Sequence, residues 1–278
     1  MELNEDLPFA LQELRSDETV HENAIETLSG LLIDAVEKRV DVPIAIAFSG
    51  GVDSTLLAFL CTRLEKTFTL YTVGLEGSKD LDAADSVAHA YGWPLKKKIL
   101  KEEELENIFK EVIRITKKHD PVTVGVGAVM YTVMSMADED VVLTGLGSEE
   151  IFAGYERHKG DINAACWDGM IHIWERDITR DIAIAAHFGK EVRLPFMDKD
   201  LIAYGMKIDP LLKIKNEHRK YVLREAAVNL GLKKEFAFRK KYAAQYGSKI
   251  DALLEKLAKK RKLTKSVYLG QLATDSLK

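Results

Sequence analysis

Short strand-like runs alternate with helical patterns through the first half of this 278-residue chain. The runs span 43–48, 67–75, 94–100 and 140–146, and the helical patterns between them span 53–65, 80–91, 102–117 and 125–137. Strands that alternate with helices in this way build a parallel sheet covered by helices on both faces. The alternation predicts an α/β fold with a doubly wound, mainly parallel sheet, for which we expect five strands.

Helical patterns dominate both ends of the chain. Residues 17–40 have apolar positions at helical spacing, and beyond about residue 150 the sequence shows helical patterns without a convincing strand. We therefore expect an N-terminal helical segment over 1–40, an α/β core over 41–150 and a helical C-terminal part over 151–278. The three parts are expected to form a single domain.

The composition and the absence of certain sequence patterns exclude several classes of protein. With 46% hydrophobic residues the chain can bury a substantial core. The N-terminus lacks the basic and apolar regions of a signal peptide, and no run reaches the roughly eighteen apolar residues of a membrane span. We therefore expect a cytoplasmic protein without a membrane partner. Cys61 and Cys166 are far apart and form no CxxC pattern, so we expect two buried thiols rather than a disulfide or a zinc site.

Charge is distributed unevenly. The net charge is −4, yet residues 207–265 hold 18 Lys and Arg against six Asp and Glu. Solvated helix faces explain a run such as "EKLAKKRK" at 255–262, and an anionic ligand or an RNA surface would explain the excess as well. No aromatic interleaving or RNA-binding motif supports the RNA interpretation, so we expect no nucleic-acid partner.

The segment "FSGGVDST" at 48–55, here called the phosphate loop, follows the first predicted strand and opens a helix. Ser49, Gly50 and Gly51 can aim successive backbone N–H groups at one anion, as at the N-terminus of a helix. It lacks the lysine of a Walker A loop. Because Asp53 would repel bare phosphate, we infer Mg²⁺ between Asp53 and pyrophosphate oxygens. The alternative is an ordinary helix N-cap, which would not need paired glycines followed by Asp53 and Ser54.

A second acidic segment, "GLGSEE" at 145–150, follows the predicted strand at 140–146 and is here called the GLGSEE turn. Ligands of doubly wound sheets bind at the carboxyl ends of the strands where strand order reverses. We therefore expect this turn to face the phosphate loop, with Glu149 and Asp53 forming a carboxylate pair around Mg²⁺. The alternative, acids that only favour the first turn of a helix, suits Glu150 better than Glu149.

The SGGxDS pattern resembles the signature of the PP-loop ATP pyrophosphatase superfamily, which cleaves ATP between its α- and β-phosphates. Six motifs in order resemble the synthetase domain of the asparagine synthetase family, which includes the β-lactam synthetases. They are "SGGVDS", "VGLEGSKDLDAA", "GLGSEEIFAGYERH", "RDITRDIAIAAHFGKEVRLPFMD", "RKYVLREAA" and "FRKKYAAQYGS". The resemblance spans roughly residues 20–251. It implies that the α/β core at 41–150 is a PP-loop ATP-binding core and that the helical part at 151–278 completes the synthetase active site.

This resemblance implies roles for individual residues. The implied ATP-phosphate contacts are Ser49, Gly50, Gly51, Asp53 and Ser54, with Val73 and Gly74 near the adenosine and Gly147 and Glu149 completing the nucleotide and metal site. Lys241 matches the lysine that stabilises both transition states, with Lys240 as the competing register. Lys220 and Arg224, one helical turn apart, are expected to face phosphate, with a surface lysine as the alternative for Lys220. Arg193 and Asp198 are expected to support the site structurally.

Four departures from the family pattern affect the expected chemistry. The chain begins "MELNED" and has no segment for the fused glutaminase domain, so we expect no glutamine hydrolysis by this chain. Leu146 stands where the family has an acid or a tyrosine linked to deprotonation of the attacking nitrogen, which a leucine cannot perform. Glu149 replaces an aspartate. Gly125 stands where asparagine synthetases usually carry an arginine, so the acceptor site is expected to differ.

The leading hypothesis is an AMP- and pyrophosphate-forming amide ligase that uses ATP and Mg²⁺. It would adenylate a carboxylate and transfer it to ammonia or an amine, with aspartate and ammonia as the best guess, as in asparagine biosynthesis. A separate glutaminase subunit would be one source of ammonia. The alternatives are a PP-loop enzyme that adenylates RNA and a non-catalytic nucleotide-binding protein. The oligomeric state is open, a homo-oligomer included.

Overall fold

A computed structural model describes residues 3–16, 18–158, 160–240 and 243–275 of the chain. Its centre is one five-stranded sheet, in which the spatial order of strands is β3-β2-β1-β4-β5. The strands are β1 (Ile44–Ala47), β2 (Phe68–Gly74), β3 (Leu95–Ile99), β4 (Val141–Leu143) and β5 (Glu191–Arg193). Every pairing between them is parallel. The predicted doubly wound α/β fold is therefore confirmed.

The fifth strand corrects one expectation, because β5 lies beyond residue 150, where no strand was predicted. It pairs in register with β4, placing Val192 opposite Val142. Only Val192 of the three β5 residues is buried, whereas Glu191 is exposed and Arg193 is half-buried. Such a short strand with charged ends carries no periodic signal in sequence.

The two central strands and the outer strand β3 differ in composition because they differ in burial. β4 and most of β1 are fully buried, as their continuous apolar sequences require when helices cover both faces. β3 has the sequence "LKKKI" and none of its residues is buried. Lys97 of this edge strand pairs with Asp85 at 2.6 Å. Charged side chains on an edge strand discourage pairing with another chain.

Helices make up most of the remaining chain. Those up to the GLGSEE turn are α1 (Leu7–Glu13), α2 (Ala24–Glu37), α3 (Val52–Arg63), α4 (Lys79–Tyr91), α5 (Glu102–Thr116), α6 (Pro121–Met136) and α7 (Ser148–Ile151). The later ones are α8 (Ile162–Ile171), α9 (Thr179–His187), α10 (Lys199–Lys207), α11 (Pro210–Lys213), α12 (Tyr221–Asn229), α13 (Lys234–Ala237), α14 (Ala244–Gly247), α15 (Ile250–Lys260) and α16 (Lys265–Asp275). Short π- and 3₁₀-helical segments occupy Trp174–Ile178 and Pro195–Met197, and a small antiparallel hairpin joins β6 (Ile214–Lys215) to β7 (His218–Arg219). No helix in these described ranges is long and apolar enough to cross a bilayer.

The predicted helix over 17–40 begins later than its periodicity suggested. Asn23 has a φ of 53°, in the left-handed region, and α2 starts only at the next residue. Val20, ahead of it, forms a parallel bridge with Ile208. The residues before α2 therefore tie the N-terminal segment to the C-terminal part instead of extending the helix.

The strand order places the reversal point of the sheet between β1 and β4. From β1 the chain proceeds through β2 to β3 on one side, and β4 and β5 lie on the other side. Right-handed crossovers in opposite directions put helices on both faces and leave a crevice at the carboxyl ends of β1 and β4. The phosphate loop and the GLGSEE turn follow these two strands directly. The expected free thiols, Cys61 and Cys166, are both buried in the apolar core.

Candidate functional site

The phosphate loop adopts a turn that depends on its glycines. Gly50 has a φ of 62°, which side-chain-bearing residues rarely adopt, and a methyl group there would lie 2.8 Å from the carbonyl carbon of Ala83. Gly51 is the N-cap of α3, and its N–H donates to Ser49 Oγ at 3.3 Å. The Ser49 N–H in turn donates to Ser54 Oγ at 3.4 Å. The loop is thus a compact cradle at the start of a twelve-residue helix, which suits an anion.

The GLGSEE turn packs directly against the phosphate loop. A methyl group on Gly145 would lie 2.8 Å from the Cβ atom of Asp53, so the absence of a side chain at Gly145 permits this approach. Gly147 has a φ of 99° and is the N-cap of α7. The two segments therefore meet as expected at the carboxyl ends of β1 and β4.

Lys220 connects the two acidic residues of the site. Its Nζ atom lies 2.7 Å from Oδ1 of Asp53 and 2.8 Å from Oε1 of Glu149, and it donates to Ser148 Oγ at 3.0 Å. The side chains of Lys220 and Asp53 are 4% and 3% exposed, and that of Glu149 is 23% exposed. The alternative interpretation of Lys220 as a surface lysine is therefore wrong.

The glycine at position 154 makes this contact feasible. A methyl group on Gly154 would overlap the Glu149 carboxylate and lie 2.5 Å from Cε of Lys220. In the sequence, Gly154 is notable only as part of the family motif "GLGSEEIFAGYERH". Its signal, a glycine shortly after a carboxylate pair, becomes interpretable only when the folded partners are known.

Arg224 does not share the orientation expected for it. Lys220 precedes α12 and has a φ of 55°, so the two residues do not lie on one helical face. The Arg224 guanidinium instead donates to the carbonyl oxygens of Arg219, at 2.8 Å, and of Ala237 and Arg239. Burial lowers the pKa of Arg224, and the carboxylates of Asp53 and Glu149 oppose that shift. Arg224 therefore fixes the backbone around the site.

Arg239 is a site residue to which sequence reasoning gave no role. Its Nη2 atom donates to the carbonyl oxygens of Gly50 at 2.6 Å and of Ser49 at 3.3 Å. Burial lowers its pKa, and the nearby Asp80 carboxylate opposes this shift. The segment that follows α13 is thus bonded to the backbone of the phosphate loop. The expected catalytic residue Lys241 lies outside the described residues, and its register competitor Lys240 has an exposed side chain.

The second glutamate of the turn is part of a buried ion-pair network. Glu150 is fully buried, and Arg176 Nη2 donates to its Oε1 atom at 2.6 Å. Arg176 also pairs with Asp177 at 2.5 Å. Burial raises the pKa of Glu150, and the Arg176 guanidinium opposes this. Glu150 is thus a buried partner of Arg176, in addition to being an acid in the first turn of a helix.

Two of the departures from the family pattern have local structural explanations or consequences. Gly125 is buried in α6, and a methyl group there would lie 3.2 Å from Cβ of the buried Gln245. The space that an arginine would need at this position is therefore taken by α14. Leu146 is half-buried and packs against the core, where it offers no proton acceptor.

The remaining expected residues occupy the second strand and the basic C-terminal run. Val73 and Gly74 end β2, next to β1, and Val73 is 3% exposed, so its side chain faces the core. In the basic run, Lys256 pairs with Glu102 at 2.7 Å, and Arg261 pairs with Glu106 at 2.9 Å. These lysine and arginine side chains neutralise the acidic start of α5, as the interpretation of solvated, paired helix faces requires.

The donor set fits a magnesium ion held jointly by protein and nucleotide. In the part of the chain that the structure describes, no cluster of three or more His, Cys, Asp or Glu side chains is arranged to hold a metal. The Asp53 and Glu149 carboxylates already share one cation, the Lys220 ammonium, which shows that the pair is disposed around a positive charge. Mg²⁺ is commonly held by one or two carboxylates together with substrate phosphates and water.

Comparisons with known proteins show which protein family this sequence is similar to. The family model described as Asparagine synthase matches residues 27–176 and 159–277. A putative glutamine-hydrolysing asparagine synthetase of Methanocaldococcus jannaschii is 32% identical over 288 residues, covering 87% of this chain and 53% of that protein. A glutamine-hydrolysing asparagine synthetase of Lotus japonicus is 32% identical over 217 residues, covering 69% of this chain and 37% of that protein. The chain thus spans about half the length, or less, of these curated relatives.

Two solved structures align with this chain at low sequence identity. NMN synthetase from Francisella tularensis aligns over 92% of this chain and 93% of its own, at 13% identity and a TM-score of 0.43. The U34-tRNA thiolase NcsA from Methanococcus maripaludis aligns over 91% of this chain and 80% of its own, at 16% identity and a TM-score of 0.39. The family match, which covers most of the sequence, is the finding that decides membership: the chain belongs to the asparagine synthase family.

Proposed function

We propose that this chain is an ATP-dependent, AMP-forming carbon–nitrogen ligase that binds Mg·ATP in the crevice between the phosphate loop and the GLGSEE turn. The observation that carries the proposal is the carboxylate pair of Asp53 and Glu149, which two separate strand ends bring onto one cation beside a glycine-rich anion cradle. A cradle for phosphate beside a pair of carboxylates for a metal matches the needs of a nucleoside triphosphate.

The proposed reaction has two steps. A substrate carboxylate oxygen attacks the α-phosphorus of ATP, and pyrophosphate leaves. The nitrogen of ammonia or an amine then attacks the activated carbonyl carbon, loses a proton and expels AMP, which gives the amide. Aspartate and ammonia are the proposed substrates, because their amide product would be asparagine, for whose synthesis the relatives are named.

The chain's own residues would divide the work. Ser49, Gly50, Gly51 and Ser54 would bind the phosphates through the loop, with Val73 and Gly74 near the adenosine and Gly147 beside the nucleotide. Asp53 and Glu149 would hold Mg²⁺, which would neutralise charge on the pyrophosphate leaving group. Lys241 would donate hydrogen bonds to the α-phosphate and then to the carbonyl oxygen, where negative charge develops in each step.

Contacts between the proposed parts of the chain support their acting together. Lys220 and Arg239, from the proposed C-terminal part at 151–278, bond to Asp53 and Gly50 of the proposed core at 41–150. The strand β5 also belongs to the C-terminal part by sequence and to the sheet by pairing. We propose that these two parts and the N-terminal segment at 1–40 act as a single synthetase unit.

The test is pyrophosphate release from Mg·ATP with a panel of carboxylates, each with ammonia, glutamine or an amine as nitrogen donor. We expect release that depends on one carboxylate, with aspartate the first candidate, and a loss of about 10²-fold or more in Lys241→Ala. Lys240→Ala is the matched control and should keep most of the activity.

Two results would contradict the proposal. One is the absence of carboxylate-dependent pyrophosphate release from the wild-type protein, and the other is undiminished release from Lys241→Ala. Tight ATP binding without turnover on any substrate would instead support the non-catalytic alternative.

A further inference from the structure

The Lys220 ammonium group lies between the carboxylates of Asp53 and Glu149. This ammonium group has three N–H donors, and the structure gives it three acceptors, one each on Asp53, Glu149 and Ser148. The ammonium is therefore fully satisfied by protein groups, at N–O distances of 2.7 to 3.0 Å. A divalent cation that used the same carboxylates would lie within a few ångströms of it, where like charges repel strongly.

We propose that Lys220 and a divalent cation compete for the Asp53–Glu149 carboxylate pair, and that nucleotide phosphate resolves the competition by taking over the Lys220 ammonium group. The inference rests on the proposed function, because it requires that the site receive a metal–nucleotide complex. The inference adds that the site binds the divalent cation weakly without nucleotide and tightly together with nucleotide.

Local structure allows the side chain to move while its backbone stays in place. The backbone next to Lys220 is held in place, because Arg224 Nε donates to the carbonyl oxygen of the preceding residue, Arg219, at 2.8 Å. Arg219 is itself bonded to the carbonyl oxygen of Tyr155 at 2.8 Å. The absence of a side chain at Gly154 lets the Lys220 methylenes and the Glu149 carboxylate lie against its backbone. Because the lysine stem is flexible, rotation of this side chain would release the carboxylates without a change in the backbone.

The experiment measures the affinity for Mn²⁺ in place of Mg²⁺, from the electron paramagnetic resonance signal of the free ion, with and without a non-hydrolysable ATP analogue. Without nucleotide, Lys220→Met should bind Mn²⁺ at least tenfold more tightly than the wild type, because it removes the ammonium group that competes for the buried Asp53 and half-buried Glu149 carboxylates. With the analogue the order should reverse, because the variant lacks the ammonium that contacts phosphate.

Two further variants control for charge and for folding. Lys215→Met removes an exposed lysine of the neighbouring hairpin and should leave both Mn²⁺ affinities unchanged. Ser148→Ala is a smaller change, which removes one acceptor of the ammonium together with the hydrogen bond from Ser148 Oγ to the Gly145 carbonyl oxygen. Because it weakens the hold of protein groups on the ammonium, it should tighten nucleotide-free Mn²⁺ binding several-fold. If Lys220→Met does not fold, Ser148→Ala alone decides the outcome.

Equal nucleotide-free Mn²⁺ affinity in the wild type and in the folded variants would overturn the inference while leaving the proposed function standing. Failure of the wild type to bind Mn²⁺ even with the ATP analogue would instead overturn the proposed function, and the inference with it. Neither readout depends on turnover or on the identity of the acceptor substrate.

Discussion

The Nζ atom of Lys220 lies 2.7 Å from Oδ1 of Asp53, although 167 positions separate them in the sequence. Asp53 is in the first turn of α3, and Lys220 directly precedes α12, so the ion pair joins the phosphate loop to the C-terminal part of the chain. Both side chains are almost completely buried. A buried charge whose partner is removed is strongly destabilising, which makes this contact measurable by unfolding.

A double-mutant cycle on this pair should show strong coupling. We expect Lys220→Met alone to lower the free energy of unfolding by about 3–5 kcal/mol, because it removes the ammonium partner of the buried Asp53 carboxylate. Adding Asp53→Asn should recover part of that loss, with an interaction energy of about 1–3 kcal/mol. Urea unfolding of the four proteins measures both quantities. Strictly additive effects would contradict the contact.

The approach of the GLGSEE turn to the phosphate loop predicts the effect of a single methyl group. Gly145→Ala would place a carbon 2.8 Å from Cβ of Asp53, so the two segments must separate. We expect nucleotide affinity to fall by about tenfold or more and stability to fall by roughly 1–3 kcal/mol. Isothermal titration with an ATP analogue and thermal unfolding measure the two effects.

A matched control is available at Gly30, in the interior of α2, where a methyl group would meet nothing within 4 Å. Gly30→Ala should stabilise the protein by roughly 0.5–1 kcal/mol, because alanine favours the helix, and should leave nucleotide affinity unchanged. Gly145→Ala binding the analogue as well as Gly30→Ala does would be evidence against close packing of the loop and the turn.

Restoring the family arginine should fail unless its neighbour is changed as well. Gly125→Arg alone is expected to destabilise the protein by about 2 kcal/mol or more, since a methyl group at position 125 already lies 3.2 Å from Cβ of Gln245. Gln245→Ala should recover part of that loss by opening space in α14. Melting temperatures of the two single variants and the double variant test this, and an additive double variant would show that Gln245 is not the obstacle.

Lys213 predicts a pH dependence of stability. Its side chain is fully buried, Nζ donates to the Met206 carbonyl oxygen at 3.3 Å, and burial lowers its pKa from 10.5 to about 8. Between these values the unfolded chain binds the proton and the folded protein does not, so stability rises with pH across this window. At about 1.4 kcal/mol per unit, the gain is roughly 3 kcal/mol.

The Lys213→Met variant isolates this contribution, because methionine keeps an unbranched side chain of similar length and does not titrate. The difference in unfolding free energy between wild type and variant should change by roughly 3 kcal/mol from pH 8 to pH 10.5. The exposed Lys199→Met is the control and should show no such change. A pH-independent difference for Lys213→Met would mean that the buried lysine keeps its ordinary pKa.

Leu146 predicts how turnover depends on pH if ammonia is the nitrogen donor. Without a proton acceptor at this position, only the unprotonated amine reacts, so the rate at fixed total ammonia should rise about tenfold per pH unit while ammonium predominates. Leu146→Glu should flatten this slope by supplying a base. Amide formation measured over several pH values gives both slopes, and identical slopes would exclude position 146 from proton transfer.

Much of the fold was predictable because its signals are local. The runs that predicted the first four strands begin and end within a few residues of the observed bounds. Three of these strands, β1, β2 and β4, are mostly buried and have the continuous apolar sequence that buried parallel strands need. The meeting of Asp53 with the GLGSEE turn was predictable from topology, because adjacent parallel strands end at one edge of the sheet. β5 was missed because three residues with one buried valine carry no such signal.

The environment of Lys220 was less accessible to sequence reasoning. Its spacing from Arg224 suggested a shared helical face. The backbone at Lys220 is instead left-handed, so Lys220 lies outside the helix, and no local sequence pattern predicts this conformation. The bond from Arg239 to Gly50 depends on how the segment after α13 packs on the loop. Both contacts join residues that are far apart in sequence, so only the folded chain shows them.

The late position of β5 also bears on how the protein is made. Once β4 has emerged from the ribosome it can pair with β1 on one side, but its other hydrogen-bonding edge stays open until its second neighbour, which begins at Glu191, has also emerged. Until then the nascent chain exposes a fully buried strand of the native protein, the kind of edge that invites aberrant association. Chaperone dependence should therefore be greatest for chains arrested between β4 and β5.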